Sequence, residues 1–292
     1  MRANTEIMET ALHAPHTNDG GSLRRALQAG VAALGILLAP VVAKAWTVMN
    51  LVPDAFTTAT YYTGGIPYDQ LEAVLQQTPF YSSYLTAAGA TVTAGGHLAE
   101  FEVGVTAADA VIILPAWGDG GYTTGVPGYT ENELAVLSSL LASNVRSLVV
   151  GEYDGSCSTM NNQLATLLGG TYLGTVGSEG EDSTQTVTGN TQSLTDGVSQ
   201  IEFTAASGIS GGYSLTDGHS ISVWGANHDF LVVLDMNVLF DEKAAGVNAR
   251  FAQNVVGFLS GSSVPEPATY AVLAGLTLLA WVALRRLRGN RA

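Results

Sequence analysis

The sequence predicts an α/β fold, a three-layer domain with a mainly parallel sheet and an antiparallel edge or insertion. A continuous apolar run without alternation is typical of a strand buried on both faces, and residues 110–114 form such a run. Further strands are predicted over residues 47–52, 147–151 and 230–234. Segments with helical apolar spacing lie between most of these predicted strands. Such an alternation of strands and helices is typical of a parallel sheet covered by helices.

In the first part of the predicted domain, the sequence predicts strands separated by short helices. Residues 47–52 are an apolar run that ends at Pro53, as expected of a buried first strand. The elements predicted after it are a helix over 68–77, a helical segment over 81–88, a short strand over 90–93 and a buried strand over 110–114.

The clearest helical unit begins at Thr130. Thr130 is a suitable N-cap, and Glu133, three residues later, completes a capping box. The apolar stripe of this helix consists of Leu134, Leu137, Leu140 and Leu141. A strand over 147–151 and a helix over 161–168 are predicted to follow.

The segment 171–228 differs from the rest, since it is rich in Thr, Ser and Gly and contains short alternating patches. This pattern predicts antiparallel strands and loops, inserted into the sheet or added to its edge. A buried strand over 230–234 and a helix over 247–259 complete the predicted domain.

The N-terminal segment has the features of a secretory signal peptide. Arg24-Arg25 precede an apolar stretch over 26–42, and Ala43-Lys44-Ala45 forms a small-x-small cleavage pattern. We therefore expect signal peptidase to act on residues 1–45 and to leave Trp46 as the first residue of an exported domain that spans 46–262.

The C-terminal segment 263–292 combines an extended hinge, an apolar run and a basic end. The hinge is Val264-Pro265-Glu266-Pro267, in which each proline disfavours helix. The apolar run over 269–284 has 16 residues, close to the shortest length that spans a membrane. It predicts a single transmembrane helix, with Arg285, Arg286 and Arg288 on the cytoplasmic side.

This order of Pro-Glu-Pro, apolar helix and arginine cluster resembles the PEP-CTERM sorting signal of Gram-negative bacteria. The resemblance implies that an inner-membrane exosortase recognises the tail and removes it. The C-terminal helix would then be a transient anchor in the inner membrane, and the mature protein would reach the cell surface or extracellular matrix. Proteins of this family are associated with exopolysaccharide, biofilm and floc formation.

The charge of the exported domain excludes some partners. Residues 46–262 contain 21 Asp and Glu against three Lys and Arg, a net charge of −18. Such a surface repels nucleic acid and anionic lipid. Glu179, Glu181 and Asp182 could offer oxygen ligands to calcium, but they match no EF-hand pattern. We predict no defined metal site and leave calcium open as the sole cofactor.

The order of segments over roughly 46–260 resembles the class I glutamine-amidotransferase-like, flavodoxin-like superfamily. The matching segments are Ala108–Leu114 with the glycine-rich loop and Thr130 helix after it, Val149-Val150-Gly151, Leu164–Gly170 and Asn254-Val255-Val256. Catalytic members carry Gly-x-Cys-x-Gly at a strand-to-helix turn and His-x-Glu near the last strand. Here Tyr153 occupies the cysteine position and Cys157 lies four residues later. Asp235-Met236-Asn237 replaces His-x-Glu, which leaves Cys157 as a weak catalytic candidate.

The glycine-rich loop after residue 114 is a second candidate site. Trp117, Asp119 and Tyr122 lie in this loop, and with Tyr129 its aromatic residues could stack on the apolar face of a sugar. The loop lacks the glycine spacing and the lysine of a phosphate-binding loop.

Three functions are compatible with these patterns. The first is a non-catalytic, exosortase-processed surface or matrix protein associated with exopolysaccharide. The second is a cysteine-dependent hydrolase or amidotransferase-like enzyme that uses Cys157, and the missing His-x-Glu argues against it. The third is a carbohydrate-binding module that uses the loop at Trp117, and direct binding to matrix glycans would distinguish it from the first.

Overall fold

The computed structural model describes residues 45–54, 76–114, 128–152, 154–177, 182–240 and 242–261. Residues 1–44 of the predicted signal peptide, the loop with Trp117, Asp119 and Tyr122, the sorting segment and most of the predicted helix over 68–77 lie outside these ranges. Within the described part of the chain, no helix has the length and apolar character needed to cross a membrane.

Eleven strands are found in the described ranges. In chain order they are β1 (Trp46–Val52), β2 (Ala90–His97), β3 (Ala110–Ile113), β4 (Arg146–Val150), β5 (Thr171–Val176), β6 (Ser183–Thr186), β7 (Gln200–Phe203), β8 (Ala206–Ser210), β9 (Tyr213–Ser214), β10 (Ile221–Trp224) and β11 (Phe230–Val233). The α-helices are α1 (Glu131–Ala142), α2 (Asp154–Leu168), α3 (Asn237–Phe240) and α4 (Ala249–Ser260). A π-helical segment, Phe80–Leu85, and two 3₁₀ turns, Leu98–Glu100 and Glu242–Ala244, complete the set.

The central sheet has seven strands in the order β2-β1-β3-β4-β11-β10-β9. The first five pair in parallel, and β10 and β9 extend the sheet by antiparallel pairing. The parallel part has the 2-1-3-4-5 order of flavodoxin-like doubly wound folds. The predicted α/β class, with a mostly parallel sheet and an antiparallel edge, is therefore confirmed.

Of the strands predicted as buried, β3 and β11 are fully buried, whereas Thr47 and Met49 of β1 are only partly buried. Strand β10, predicted as an alternating strand, is also fully buried, as are the last four residues of β4. Helix α4 covers part of the sheet with Phe251, Val255 and Leu259, as its apolar spacing predicted. Hydrophobic burial from both faces is the main source of stability in such a sheet.

The segment predicted as antiparallel strands and loops contributes to three sheets. Its strands β9 and β10 join the central sheet, whereas β5 pairs with β8 and β6 pairs with β7 in two separate two-stranded sheets. The β6–β7 pair is fastened to the chain before α4, because the buried Asn248 side chain accepts from the Glu202 amide at 3.0 Å and donates to the Glu202 carbonyl at 2.8 Å.

Most other elements match their predictions, with two differences in extent. Strand β2 continues to His97, beyond the predicted end at residue 93. Helix α2 begins at Asp154 rather than near Asn161, and Cys157 interrupts it with non-helical dihedral angles (φ −125°, ψ 20°). The Gly, Ser and Thr residues of its first part have low helix propensity, which is why sequence periodicity missed that part.

Lys243 links the β6–β7 pair to the rest of the domain. Its ammonium group lies 2.8 Å from Asp182 Oδ1 and 3.3 Å from Glu202 Oε1. The Lys243 side chain is only 11% exposed, which limits its screening by solvent. The hydrogen bond from Lys243 and its charge together lower the pKa of Asp182.

We predict that Lys243→Met lowers the melting temperature at neutral pH and that the deficit narrows as the pH falls. A carboxyl group whose pKa is lowered in the folded state stabilises the fold above its unfolded pKa of about 3.9. That contribution is lost as the pH falls through the lower, folded pKa. Thermal unfolding followed by circular dichroism from pH 7 to pH 2.5 measures this, with Lys243→Arg as the charge-preserving control. A deficit that is the same at every pH would contradict the prediction.

Candidate functional site

Parallel strands β1, β3, β4 and β11 end on the same side of the sheet, which we call the carboxyl edge. Doubly wound folds bind their ligands at this edge. Three acidic residues near these strand ends are almost completely buried: Glu133 (0% exposed), Glu152 (2%) and Asp235 (0%). Because a buried carboxylate is costly unless it is hydrogen-bonded, the partners of these groups decide what the edge can do.

Glu133 connects the end of β1 to the start of α1. Its Oε2 accepts from the backbone amide of Thr130 at 2.7 Å, and the Thr130 hydroxyl caps the Glu133 amide, so the predicted capping box is confirmed. Its Oε1 accepts from the amide of Asp54, just beyond β1, at 2.6 Å. The carboxylate thus binds backbone amides that are far apart in the sequence, a contact that the capping motif alone does not predict.

Asp235 has the same role beyond β11. Its Oδ2 accepts from the amides of Thr204 and Ala205, at 2.7 Å and 3.4 Å, and its Oδ1 accepts from the amide of Asn237 at 2.8 Å. This is the stretch in which the resemblance to catalytic proteins would place His-x-Glu. In this chain the carboxylate there holds the backbone between β7 and β8 against the end of β11.

The resemblance drawn from the sequence would place a nucleophile just after β4, and the backbone of Gly151 and Glu152 there is tightly held. The Glu152 carbonyl accepts from Asn161 Nδ2 at 2.6 Å and from Ser207 Oγ at 3.1 Å. Gly151 has no room for a side chain, since an added Cβ would lie 2.7 Å from both Asn161 Oδ1 and Leu234 Cδ2. Close packing on both sides therefore fixes the backbone of Gly151 and Glu152.

Cys157 lies further along the chain, at the interruption of α2, and is 1% exposed. Burial, and secondly the negative charge of Glu152, raise the pKa of its thiol. Both causes oppose formation of the thiolate, whereas a nucleophilic cysteine needs a lowered pKa and access to substrate. The arrangement therefore keeps the thiol protonated and shielded at neutral pH.

Tyr129 was expected beside Trp117 and Tyr122 in an aromatic sugar loop, and the structure instead places its side chain in the core. Burial raises its pKa, and the nearby Cys157 and Glu133 raise it further. Its backbone pairs with Gln163 of α2, whose Oε1 accepts from the Tyr129 amide at 2.6 Å and whose Nε2 donates to the Tyr129 carbonyl at 3.2 Å. The ring of Tyr129 is therefore not available to stack on a sugar.

The three described histidines lie in different environments. His97, at the end of β2, has its Nδ1 3.3 Å from Asp54 Oδ1, and both side chains are partly exposed. Sequence reasoning missed this pair, although β1 and β2 are neighbours and both end at the carboxyl edge. His219 adopts a left-handed conformation before β10, and His228 contacts the Thr191 hydroxyl at 3.0 Å.

No group of three or more His, Cys, Asp or Glu residues that could hold a metal ion occurs among the described residues. Asp182, part of the acidic turn considered for calcium, contacts Lys243 and Thr204 instead. Glu179 and Glu181 lie outside the described ranges.

Comparison with known proteins identifies the C-terminal segment. Residues 263–288 match the family model of the PEP-CTERM protein-sorting motif, which confirms the prediction made from Val264-Pro265-Glu266-Pro267 and the arginine cluster. The chain is therefore an exported protein targeted by an exosortase, and its C-terminal segment is the membrane anchor that exosortase processes.

Solved structures similar to the exported domain include a protein assigned as a GMP synthase subunit, from Thermoplasma acidophilum. It has 9% sequence identity and a TM-score of 0.43, and the similarity covers 74% of this chain and 94% of that one. A ThuA-like protein from Parabacteroides merdae has 5% identity and a TM-score of 0.47, over 76% and 93% of the two chains. A search of curated proteins finds no match. The assignment to a doubly wound fold rests on the strand order of the sheet.

We predict that Glu133→Ala lowers the free energy of unfolding by roughly 2–4 kcal/mol, since it removes a cap and leaves the Asp54 amide without its carboxylate partner. Chemical denaturation at neutral pH measures this. Glu131→Ala is the matched control, because Glu131 is an exposed acid in the same helical turn and its loss should change stability by no more than about 0.5 kcal/mol. Equal effects of the two substitutions would contradict the prediction, because they would show that the buried contacts of Glu133 add nothing to the free energy of unfolding.

We predict that the Cys157 thiol of the folded protein does not react with a thiol reagent at pH 7.5 on the timescale that modifies an exposed cysteine. Denaturant should make it fully reactive, because burial and the raised pKa are both lost on unfolding. Absorbance after addition of an aromatic disulfide measures the reaction. Rapid native labelling with a half-maximal rate below pH 7 would indicate an activated thiolate and would support an enzyme.

Proposed function

We propose that the protein is a non-catalytic component of the cell surface or extracellular matrix, exported, processed at both ends and retained among extracellular polysaccharide. The observation that carries this proposal is the sorting motif over 263–288, which directs the chain to exosortase. Under the proposal, residues 1–45 are the signal peptide, residues 46–262 are the exported domain and residues 263–292 are the sorting signal, from which the segment after Pro265-Glu266-Pro267 is removed.

The chemistry of the carboxyl edge supports a non-catalytic role. Glu133 and Asp235 use their oxygens to bind backbone amides, so these acids serve the fold. The Cys157 thiol is buried, and its pKa is raised. Among the described residues at this edge, the acidic side chains of Glu133 and Asp235 are therefore occupied by hydrogen bonds within the fold. The Cys157 thiol is held in an unreactive form.

The distribution of charge supports a location of the protein outside the cell, within a hydrated polysaccharide matrix. The exported domain has three basic residues, and each takes part in an internal contact. Arg146 lies 3.7 Å from Asp229, Lys243 binds Asp182 and Glu202, and Arg250 donates to the Asp196 carbonyl at 3.0 Å. With these cations engaged, the acidic surface keeps molecules apart and disfavours attachment to anionic polymer by direct charge attraction.

We expect that the extracellular protein from a host that has exosortase begins at Trp46, lacks the arginine cluster and co-fractionates with polysaccharide. Intact-mass analysis of the matrix fraction measures the processing. Glu266→Ala should leave the full tail attached and keep the protein in the membrane fraction, since it alters the recognised element. Cys157→Ala is the control and should be processed and retained as the wild type is.

Recovery of matrix protein that still carries Arg291 would contradict the processing. Absence of the protein from every polysaccharide fraction would contradict the matrix role. A measurable hydrolytic activity of the mature protein that Cys157→Ala abolishes would favour the enzyme instead.

A further inference from the structure

A group of polar side chains, four of them carboxamides, lies on the side of the sheet opposite the carboxyl edge. It consists of Asn144 before β4, Asn190 and Gln192 in the loop after β6, Tyr213 of β9, and Asn227 and His228 before β11. We call these six residues the amide patch. Asn144, Gln192, Asn227 and Tyr213 are exposed. Tyr213 is 39% exposed and is one of four exposed large apolar residues in the part of the chain that the structure describes.

Hydrogen bonds between separate loops hold the carboxamides of the patch in place. Asn227 Nδ2 donates to Asn144 Oδ1 at 2.8 Å, which joins two loops 83 residues apart. Gln192 Nε2 donates to the Asn227 carbonyl at 2.9 Å and brings in the third loop. Each of these bonds uses one end of an exposed carboxamide. Donors and acceptors therefore remain for a ligand, and their positions are set in advance.

Tyr213 adds an aromatic ring to the patch, and its surroundings hold it. Its hydroxyl donates to the Asn190 carbonyl at 3.0 Å and accepts from the Asn190 amide at 3.3 Å. The ring lies against the imidazole of His228, with 5.4 Å between ring centroids. His228 is in turn bonded to Thr191. The ring is thus held in position while more than a third of the side chain remains exposed.

Backbone strain is concentrated in the same place. Four non-glycine residues in the described part of the chain have positive φ, and three belong to the patch or adjoin it: Gln192 (52°), Ser193 (59°) and His228 (57°). Such a conformation costs a non-glycine residue roughly 1 kcal/mol or more, and residues of this kind are found together most often at binding sites. Gln192 and His228 adopt this unfavourable backbone conformation, and their side chains both belong to the patch.

We propose that the amide patch is a binding site for a neutral polysaccharide. Vicinal hydroxyl groups of a sugar both donate and accept hydrogen bonds, which suits exposed carboxamides, and the C–H face of a pyranose ring stacks on an aromatic ring such as that of Tyr213. Two acidic residues lie beside the patch. Asp196 accepts a hydrogen bond from the Asn190 side chain, and Asp229 forms an ion pair with Arg146. Their charge and the −18 of the domain disfavour an acidic polymer at this place. This inference names a ligand class, neutral polysaccharide, for the matrix function proposed above, and it rests on that proposed function.

Affinity electrophoresis of the mature extracellular protein tests the site, with a neutral glucan, a neutral galactomannan or acidic alginate in the gel and a chelator present throughout. We expect retardation by at least one neutral polymer and none by alginate. Tyr213→Ala should weaken the neutral-polymer affinity about 5–10-fold, in the range of a lost aromatic contact. Gln192→Ala should also weaken it. Tyr213→Phe keeps the ring and should retain most of the affinity.

Leu173→Ala is the matched control, because Leu173 is an exposed apolar residue on β5, outside the patch, and its loss should leave retardation unchanged. Melting temperatures identify any variant that fails to fold. If Tyr213→Ala fails to fold, Gln192→Ala and Asn227→Ala test the site instead, because both side chains are exposed.

Failure of this inference is distinguishable from failure of the matrix function. Binding that Trp117→Ala removes and Tyr213→Ala leaves intact would overturn the amide patch as the site and support the glycine-rich loop. A protein that co-fractionates with matrix but is retarded by no neutral polymer would overturn the inference and leave the matrix function standing. A protein that does neither would overturn both.

Discussion

The interaction on which the structure most depends is the hydrogen bonding of buried carboxylates to backbone amides at the carboxyl edge of the sheet. Glu133 holds the chain leaving β1, and Asp235 holds the chain after β11 together with the β7–β8 connection. A buried carboxylate without such partners would cost several kcal/mol, so each acid and its amides must stay together. Within the described residues, Glu133 and Asp235 at this edge therefore fix the ends of the strands.

The residues that hold the sheet together are therefore different from those of the sorting motif and of the proposed binding site. The sorting motif follows the domain in the sequence and directs the chain to exosortase. The amide patch lies where β4 and β11 begin, on the side of the sheet away from the buried acids. A ligand bound there would not have to displace the hydrogen bonds on which the sheet depends.

Features set by local sequence could be predicted, and features set by distant contacts could not. The strands over 110–114 and 230–234, the capping box of Thr130 and Glu133 and the sorting motif each depend on a short stretch of residues. The contact of Glu133 with Asp54 joins residues 79 apart, and the burial of Tyr129 depends on packing against α2. The amide patch brings together loops that become neighbours only in the folded sheet, so no local pattern announces it.

Native-state hydrogen exchange tests most directly whether buried carboxylates hold the strand ends. The amides of Asp54, Thr130 and Thr204 lie outside regular helices and strands, yet each donates to one of these carboxylates. We predict that they exchange with opening free energies close to that of the buried strands, and that Glu133→Ala releases Asp54 and Thr130 while leaving Thr204 protected. Exchange of all three at the rate of exposed loops in the wild-type protein would contradict the account.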